Sequence, residues 1–219
     1  MPIFHLTLRG PLHQGEFVGI NREAALDWIP SDSLFAMLVT AWTQTGVDMA
    51  SRLAGFEAGP PPFLLTSAFP HAGSVRFYPA PQRLPQAVLD SGVAGKTVKK
   101  IRWLSAGALD LLRQGQALET AEANFLHGRT VWLTVKEREA IKHLLAEDDE
   151  GGSSLWRFQV VPHVTVDRAS NASNLFHTGR VTFSPDCGLW FAVRGQANDV
   201  REAFGLKANL PNMTLLNFN

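Results

Sequence analysis

The chain has 219 residues, with 20 Lys plus Arg balanced by 20 Asp plus Glu. Zero net charge excludes a polycationic arm, because sequence-independent nucleic-acid binding draws on a surplus of cations, though it leaves room for a local basic patch. A hydrophobic share of 45% with 10% aromatic residues is globular rather than disordered composition, and this length can bury a core.

Residues Pro2 to Arg9 alternate, with Phe4, Leu6 and Leu8 on one side of a predicted strand. Ser31 or Asp32 can cap a helix whose apolar residues Leu34, Phe35, Leu38, Val39 and Trp42 recur at helical spacing, with Gly46 as its stop. Phe63-Leu64-Leu65 reads as a short strand after a proline run. Pro70, Pro79, Pro81 and Pro85 then read as an irregular surface segment. Ile101 to Leu104 reads as a strand, Ala106 to Leu112 as a helix, Thr130 to Thr134 as a strand and Lys136 to Leu145 as a helix. Trp156 to Val161 is a strand candidate ending at Pro162. His163 to Asp167 and Phe176 to Phe183 flank a polar loop, and Leu189 to Val193 and a helix from Gln196 to Phe204 follow. Interspersed helices and hairpin-linked strands predict an α+β fold with an antiparallel sheet. The division expected is 1–150 and 151–219.

The charges segregate. Residues 96–114 carry Lys96, Lys99, Lys100, Arg102 and Arg113 against Asp110 alone, and residues 115–150 carry a surplus of acids. The cationic segment suits phosphates or, more plainly, a solvated strand end.

Enzyme motifs are missing: the sequence holds no P-loop, H-E-x-x-H, G-x-S-x-G or G-x-G-x-x-G. The seven histidines lack ligand spacing. His163 and His177 are expected to face each other across a hairpin. Cys187, the single cysteine, excludes an internal disulfide and a Cys-based zinc site. No apolar run reaches the roughly 18 residues of a membrane helix, and the first residues lack a signal-peptide apolar region. The cytoplasm is the expected compartment, with no membrane partner, metal or cofactor.

The most informative stretch runs from Val164 to Phe183. Arg168, Asn171 and Asn174 lie in a loop of amides and hydroxyls, with His177 and Arg180 on the returning strand. A guanidinium fork suits phosphate, and amides and hydroxyls suit RNA backbone or base edges. An ordinary long hairpin loop has the same composition.

Several blocks in order resemble one family. They are Ile29-Pro30-Ser31-Asp32-Ser33-Leu34-Phe35-Ala36, Pro62 to Pro70, Val75-Arg76-Phe77-Tyr78-Pro79-Ala80-Pro81, Lys99-Lys100-Ile101-Arg102-Trp103, and Val164-Thr165-Val166-Asp167-Arg168 with Phe176, Gly179-Arg180 and Gly188-Leu189-Trp190-Phe191. Together they resemble subunit four of the type III-A CRISPR Csm effector complex, of the RAMP superfamily. The resemblance implies ferredoxin-like (RRM-like) modules and an inserted β-hairpin thumb at Val164 to Phe183. It implies a non-catalytic subunit that caps the crRNA 5′ handle, holds the large polymerase-like subunit and abuts the neighbouring RAMP backbone subunit, meeting target RNA only indirectly. Carried over residue by residue, it marks Ser31 and Ser33 at the first helix start, Lys99, Lys100 and Arg102 on a basic strand, and Arg168 as the leading RNA contact. Asn171, Asn174, His177 and Arg180 follow on the thumb. An exposed helix start presents backbone N–H groups to a phosphate, whereas Asp32 would repel one and is expected to cap or to accept from a base or ribose.

Family members carry a glycine-rich loop near the C-terminus, and the expectation here is a shortfall at that end, with Leu215, Leu216 and Phe218 covered by a partner or a missing segment. Two other functions fit the residues. One is a RAMP-type endoribonuclease processing repeat RNA with His13, His163 or His177 as acid or base. The other is a structural bridge with little RNA contact.

Overall fold

The computed structural model describes all residues except 20–21, 83–94, 148–151, 167–172, 205–212 and 215–219. In chain order the strands are β1 (Ile3–Leu6), β2 (Gly15–Gly19), β3 (Arg22–Ala25), β4 (Phe63–Leu65), β5 (Phe69–Ala72), β6 (Val75–Pro79), β7 (Trp103–Ser105), β8 (Phe125–Leu126), β9 (Val131–Trp132), β10 (Ala146–Glu147), β11 (Ser153–Ser154), β12 (Trp156–Val166), β13 (Ser173–Phe183), β14 (Cys187–Gly195) and β15 (Met213–Thr214). The helices are α1 (Ser31–Gln44), α2 (Met49–Glu57), α3 (Gly95–Val98), α4 (Ala106–Arg113), α5 (Val135–Ile141) and α6 (Ala197–Ala203). The fold is α+β, and its large sheet is mostly antiparallel.

That sheet runs β15-β1-β14-β5-β6-β7-β9-β8, with β4 also on β14. It joins β1 and β4–β9 with β14, whose first seven residues, Cys187 through Val193, are all buried, as befits a strand covered on both faces. Alternation assigns the faces. Phe4, Leu6, Leu189, Phe191 and Val193 point to one side, where α1 and α6 cover them with Leu34, Leu38, Trp42 and Val200. Farther along the same face, Val75, Phe77, Trp103, Val131, Ile141, Trp156 and Val181 form a second cluster. On the opposite face α4 packs Ala108 and Leu112 against Leu104, Phe125 and Trp132.

Residues 69–79 correct the expectation of an irregular surface segment. They form β5 and β6, with His71, Ala72, Val75 and Phe77 buried. Pro70 is tolerated because β5 pairs with β6 only at His71 and Ala72, so β14 alone borders the proline. The first helix also differs at its start: Pro30 is the N-cap, with Ser31 and Asp32 already inside the first turn.

The second sheet runs β12-β13-β3-β2. β12 and β13 form one hairpin of two 11-residue strands, paired from Trp156↔Phe183 to Val166↔Ser173. The expected break at Pro162 is absent because β12 is an edge strand, and an edge accepts a residue without N–H. The hairpin therefore begins at Trp156, eight residues before the expected Val164. Gly179 lets the neighbouring strand come close: a Cβ there would lie 2.5 Å from Ala25 N and 2.8 Å from Ala24 C.

Candidate nucleic-acid interface

The hairpin register separates two unlike faces. One carries Phe158, Val160, Val164, Val166, Leu175 and His177, with the five apolar side chains 52–64% exposed. The other carries Arg157, Gln159, His163 and Thr165 from β12 and Asn174, Phe176, Thr178, Arg180 and Thr182 from β13. On this polar face the His163 ring stacks on Phe176, with centroids 5.2 Å apart and planes at 18°. Its Nε2 lies 2.9 Å from Thr178 Oγ1, which fixes the ring orientation. Arg157 donates to the Glu147 carbonyl at 2.9 Å. Arg180 is half-buried, and among the described residues no hydrogen bond or ion pair engages its guanidinium. Guanidinium forks, a planar ring pair and hydroxyls on one strip are the groups that single-stranded RNA takes: phosphate pairing and base stacking.

This register corrects the expected pairing of His163 with His177. His163 stands opposite Phe176 and His177 opposite Pro162, so the two imidazoles occupy opposite faces. The third histidine, His13, has Nδ1 2.8 Å from the Gly179 carbonyl, which can only accept, so Nδ1–H donates. Its Nε2 lies 3.5 Å from Glu23 Oε2. Those contacts tie the segment before β2 to the hairpin and β3.

Lys99 and Lys100 stand on an exposed turn rather than on the expected basic strand. The turn follows α3, with Lys99 N–H donating to Gly95 O at 3.2 Å and Lys100 N–H to Thr97 O at 2.9 Å. Strand pairing starts only at Trp103, opposite Pro79 and Val131. The turn is held from below: Arg129 donates to Thr97 Oγ1 at 3.1 Å while its Nε and Nη2 bind Glu122 at 2.9 and 2.5 Å. Arg102 is 47% exposed, but its Nη2 lies 3.4 Å from Oδ1 of Asp27, a carboxylate that is almost fully buried. Asp27 also accepts from Trp103 Nε1 at 2.9 Å. Burial pushes the Asp27 carboxyl above its ordinary range, against the pull of Arg102 and of the Trp103 indole. Arg102 thus serves a buried acid as well as solvent.

At the start of α1 several backbone amides already have partners. Ser31 N–H donates to Ser67 Oγ at 3.1 Å, Ser33 N–H to Asp32 Oδ1 at 2.7 Å and Leu34 N–H to Pro30 O at 2.9 Å. What this end offers a ligand is the Ser31 and Ser33 hydroxyls beside an exposed carboxylate. Among the thumb candidates, Asn174 and Arg180 share the polar face and His177 does not. Arg168 and Asn171 lie outside the described residues. Arg157 and Gln159 were not foreseen as site residues; counting the two-residue strand period straight through Pro162 would have placed them on the face of His163, and the register adds Arg180 to it. Cys187 is buried, and burial followed by the Asp186 charge pushes its thiol up to about 12, so it is not a nucleophile here.

No protein-family model matches the chain, and no curated protein does. Solved structures do match. A chain of the crystal structure of the Csm3–Csm4 subcomplex in the type III-A CRISPR-Cas interference complex aligns with TM-score 0.59 at 14% identity, over 92% of this chain and 60% of that one. The Csm1–Csm4 cassette in complex with cA4 aligns with TM-score 0.54 at 16% identity, over 93% and 62%. The same cassette with AMPPNP gives 0.54 and 16%, over 93% and 61%. Csm4 is the component that these structures share. The likeness is one of fold, and this chain spans about three fifths of the length of the chains it matches.

Proposed function

We propose that the chain is a Csm4-like, non-catalytic RNA-binding subunit of a type III-A CRISPR-Cas (Csm) interference complex. Its role is to cap the 5′ handle of the crRNA and to bridge to the large polymerase-like subunit and the neighbouring RAMP backbone subunit. The fold supports this reading, because the similar structures have Csm4 in common and contain it with Csm3 or Csm1. The arrangement of β1, β14 and β5 supports a ferredoxin-like RAMP module: β14 lies antiparallel between β1 and β5, and α1 and α6 cover one face.

The observation that carries the RNA part is the polar face of the hairpin. It gathers Arg157, Arg180, the His163–Phe176 stack and Asn174 on one strip, and the hairpin is the thumb of this reading. The exposed turn of Lys99 and Lys100 adds two cations. Such groups position an RNA; chemistry on it would need an acid and a base converging on one 2′-OH. The opposite, apolar face with Phe158, Val160, Val164, Val166 and Leu175 fits a protein neighbour, which is the bridging part of the role.

The test is reconstitution. The chain, co-expressed with a Csm1-type and a Csm3-type subunit and a repeat-derived crRNA, is expected to co-purify with both proteins and with RNA carrying the intact 5′ handle. Arg180→Ala with Arg157→Ala should keep the proteins and lose occupancy of the handle. Assembly with undiminished handle occupancy in that variant would refute the hairpin assignment. Cleavage of repeat RNA by the purified chain would refute the non-catalytic reading.

A further inference from the structure

A second feature lies away from the hairpin, on the sheet face shared with α4. Phe69, Tyr78, Pro79 and Pro81 from the β5–β6 side face Leu109, Leu112 and Arg113 of α4 across a groove of about 540 Å³. That size is within the range of small-ligand sites, roughly 300–1,000 Å³. The floor is aromatic and braced. Tyr78 meets the buried Trp190 edge-on at 4.9 Å, and Phe69 meets it at 5.8 Å. Arg76, on the same face of β6 as Tyr78, lies 5.5 Å over the Trp190 ring. Leu109, Leu112 and Arg113 follow helical spacing and so form the facing wall together.

The groove adjoins the cationic turn. Ala80 N–H donates to the Arg102 carbonyl at 2.8 Å, and Pro79 pairs with Trp103. The turn of Lys99 and Lys100 therefore leads into one end through the Arg102 backbone, while the Arg102 guanidinium turns to Asp27; Arg113, 71% exposed and 3.8 Å from Asp110 Oδ1, stands in the wall. An apolar slot with an aromatic floor, a guanidinium in its wall and a cationic turn next to it in the chain matches an unpaired nucleobase with flanking phosphates.

The geometry points to this groove as a nucleobase pocket that takes one unstacked base of single-stranded RNA between Tyr78 and α4, with the adjoining phosphates on Lys99, Lys100 and Arg113. The inference rests on the RNA-binding reading above and adds a second, separate contact to it.

Single-stranded RNA carrying 5-iodouridine, irradiated with the full chain, tests it. Crosslinks mapped by mass spectrometry should fall on Tyr78 or Phe69 as well as on the hairpin. Leu109→Glu places a carboxylate in the wall of the slot. It should abolish the Tyr78 and Phe69 crosslinks and weaken binding about ten-fold, the loss of one stacked base, with the thermal midpoint held. Lys99→Ala with Lys100→Ala should instead lower the salt dependence. Crosslinks confined to the hairpin, with binding indifferent to Leu109→Glu, would overturn the pocket while leaving RNA binding in place; a socket for a protein side chain would give that result. No RNA binding by the native chain would overturn both.

Discussion

His163 and His177 lie on opposite faces of the β12–β13 hairpin, because His163 pairs with Phe176 and His177 with Pro162. A ribonuclease that used them as an acid–base pair would need both on one face. The two should also act independently in binding. His163→Ala removes a ring stacked on Phe176 and should weaken RNA binding by about 1 kcal/mol, whereas His177→Ala should leave it unchanged. Fluorescence anisotropy on both single variants and the double variant checks this, with the effects adding to within about 0.5 kcal/mol. A large coupling would place the two rings on a common ligand.

His71 is expected to make the main sheet acid-sensitive. Gly188 has no side chain, so across β14 the His71 and His5 rings meet, with centroids 4.5 Å apart. Burial, followed by the His5 charge, lowers His71 to about 4, against the opposing pull of the Gly73 carbonyl. A histidine depressed in the folded state contributes stability that is full above the unfolded value near 6.5 and is lost as pH falls toward 4. The shift corresponds to about 3 kcal/mol. Urea unfolding of the native chain should therefore weaken between pH 6.5 and 4, and His71→Leu should flatten that decline. An unchanged pH profile in the variant would show that other groups cause it.

Gly179→Ala should separate β3 from the hairpin. The added Cβ would press on Ala25 N and Ala24 C, both backbone atoms that cannot swing aside. A loss of about 1–3 kcal/mol in chemical unfolding is expected, together with faster amide exchange in β3. Gly188→Ala should be worse, since its Cβ would strike the Leu6 carbonyl in the centre of the main sheet.

One carboxylate joins the starts of two helices. Glu137 accepts from Ser105 Oγ at 2.5 Å and from Gly107 N–H at 2.8 Å at α4, and from Thr134 Oγ1 at 2.7 Å in the capping box of α5. Glu137→Ala should cost about 2 kcal/mol, because several donors lose their acceptor together. Glu137→Gln should cost less, since one amide oxygen still accepts. Equal stability of Glu137→Ala and the native chain would contradict the shared cap.

The fold was legible where one residue period ran unbroken. Phe4 and Leu6 marked β1, and Leu34, Leu38 and Trp42 marked α1, because their burial follows the strand and helix repeats directly. Prolines misled the reading twice. Pro70 and Pro162 look like breaks, yet each sits where a neighbouring strand does not need its N–H, and that depends on strand order, which local sequence does not encode. What sets His163 apart from His177 is the cross-strand register from Val166↔Ser173 onward, which the alternation of either strand alone does not give. β2 and β3 went unforeseen because Glu23-Ala24-Ala25 shows no apolar alternation, and their partner is the distant β13. Of the site, Asn174 and Arg180 were visible by residue type. The groove at Tyr78 was not, since its wall comes from α4 and its floor from β5 and β6.

The central claim is RNA binding through cationic and stacking groups, and its most direct measurement is the salt dependence of binding to a single-stranded 5′-handle RNA. The native chain, alone or with a Csm1-type subunit, should bind with an affinity that falls linearly on a log–log plot against salt. Removing Lys99 and Lys100 together should reduce the slope by about 1.4, at about 0.7 per phosphate contact on a single strand. An unchanged slope in that variant would contradict the cationic turn as a phosphate contact, and no handle binding by the native chain in either form would contradict the account as a whole.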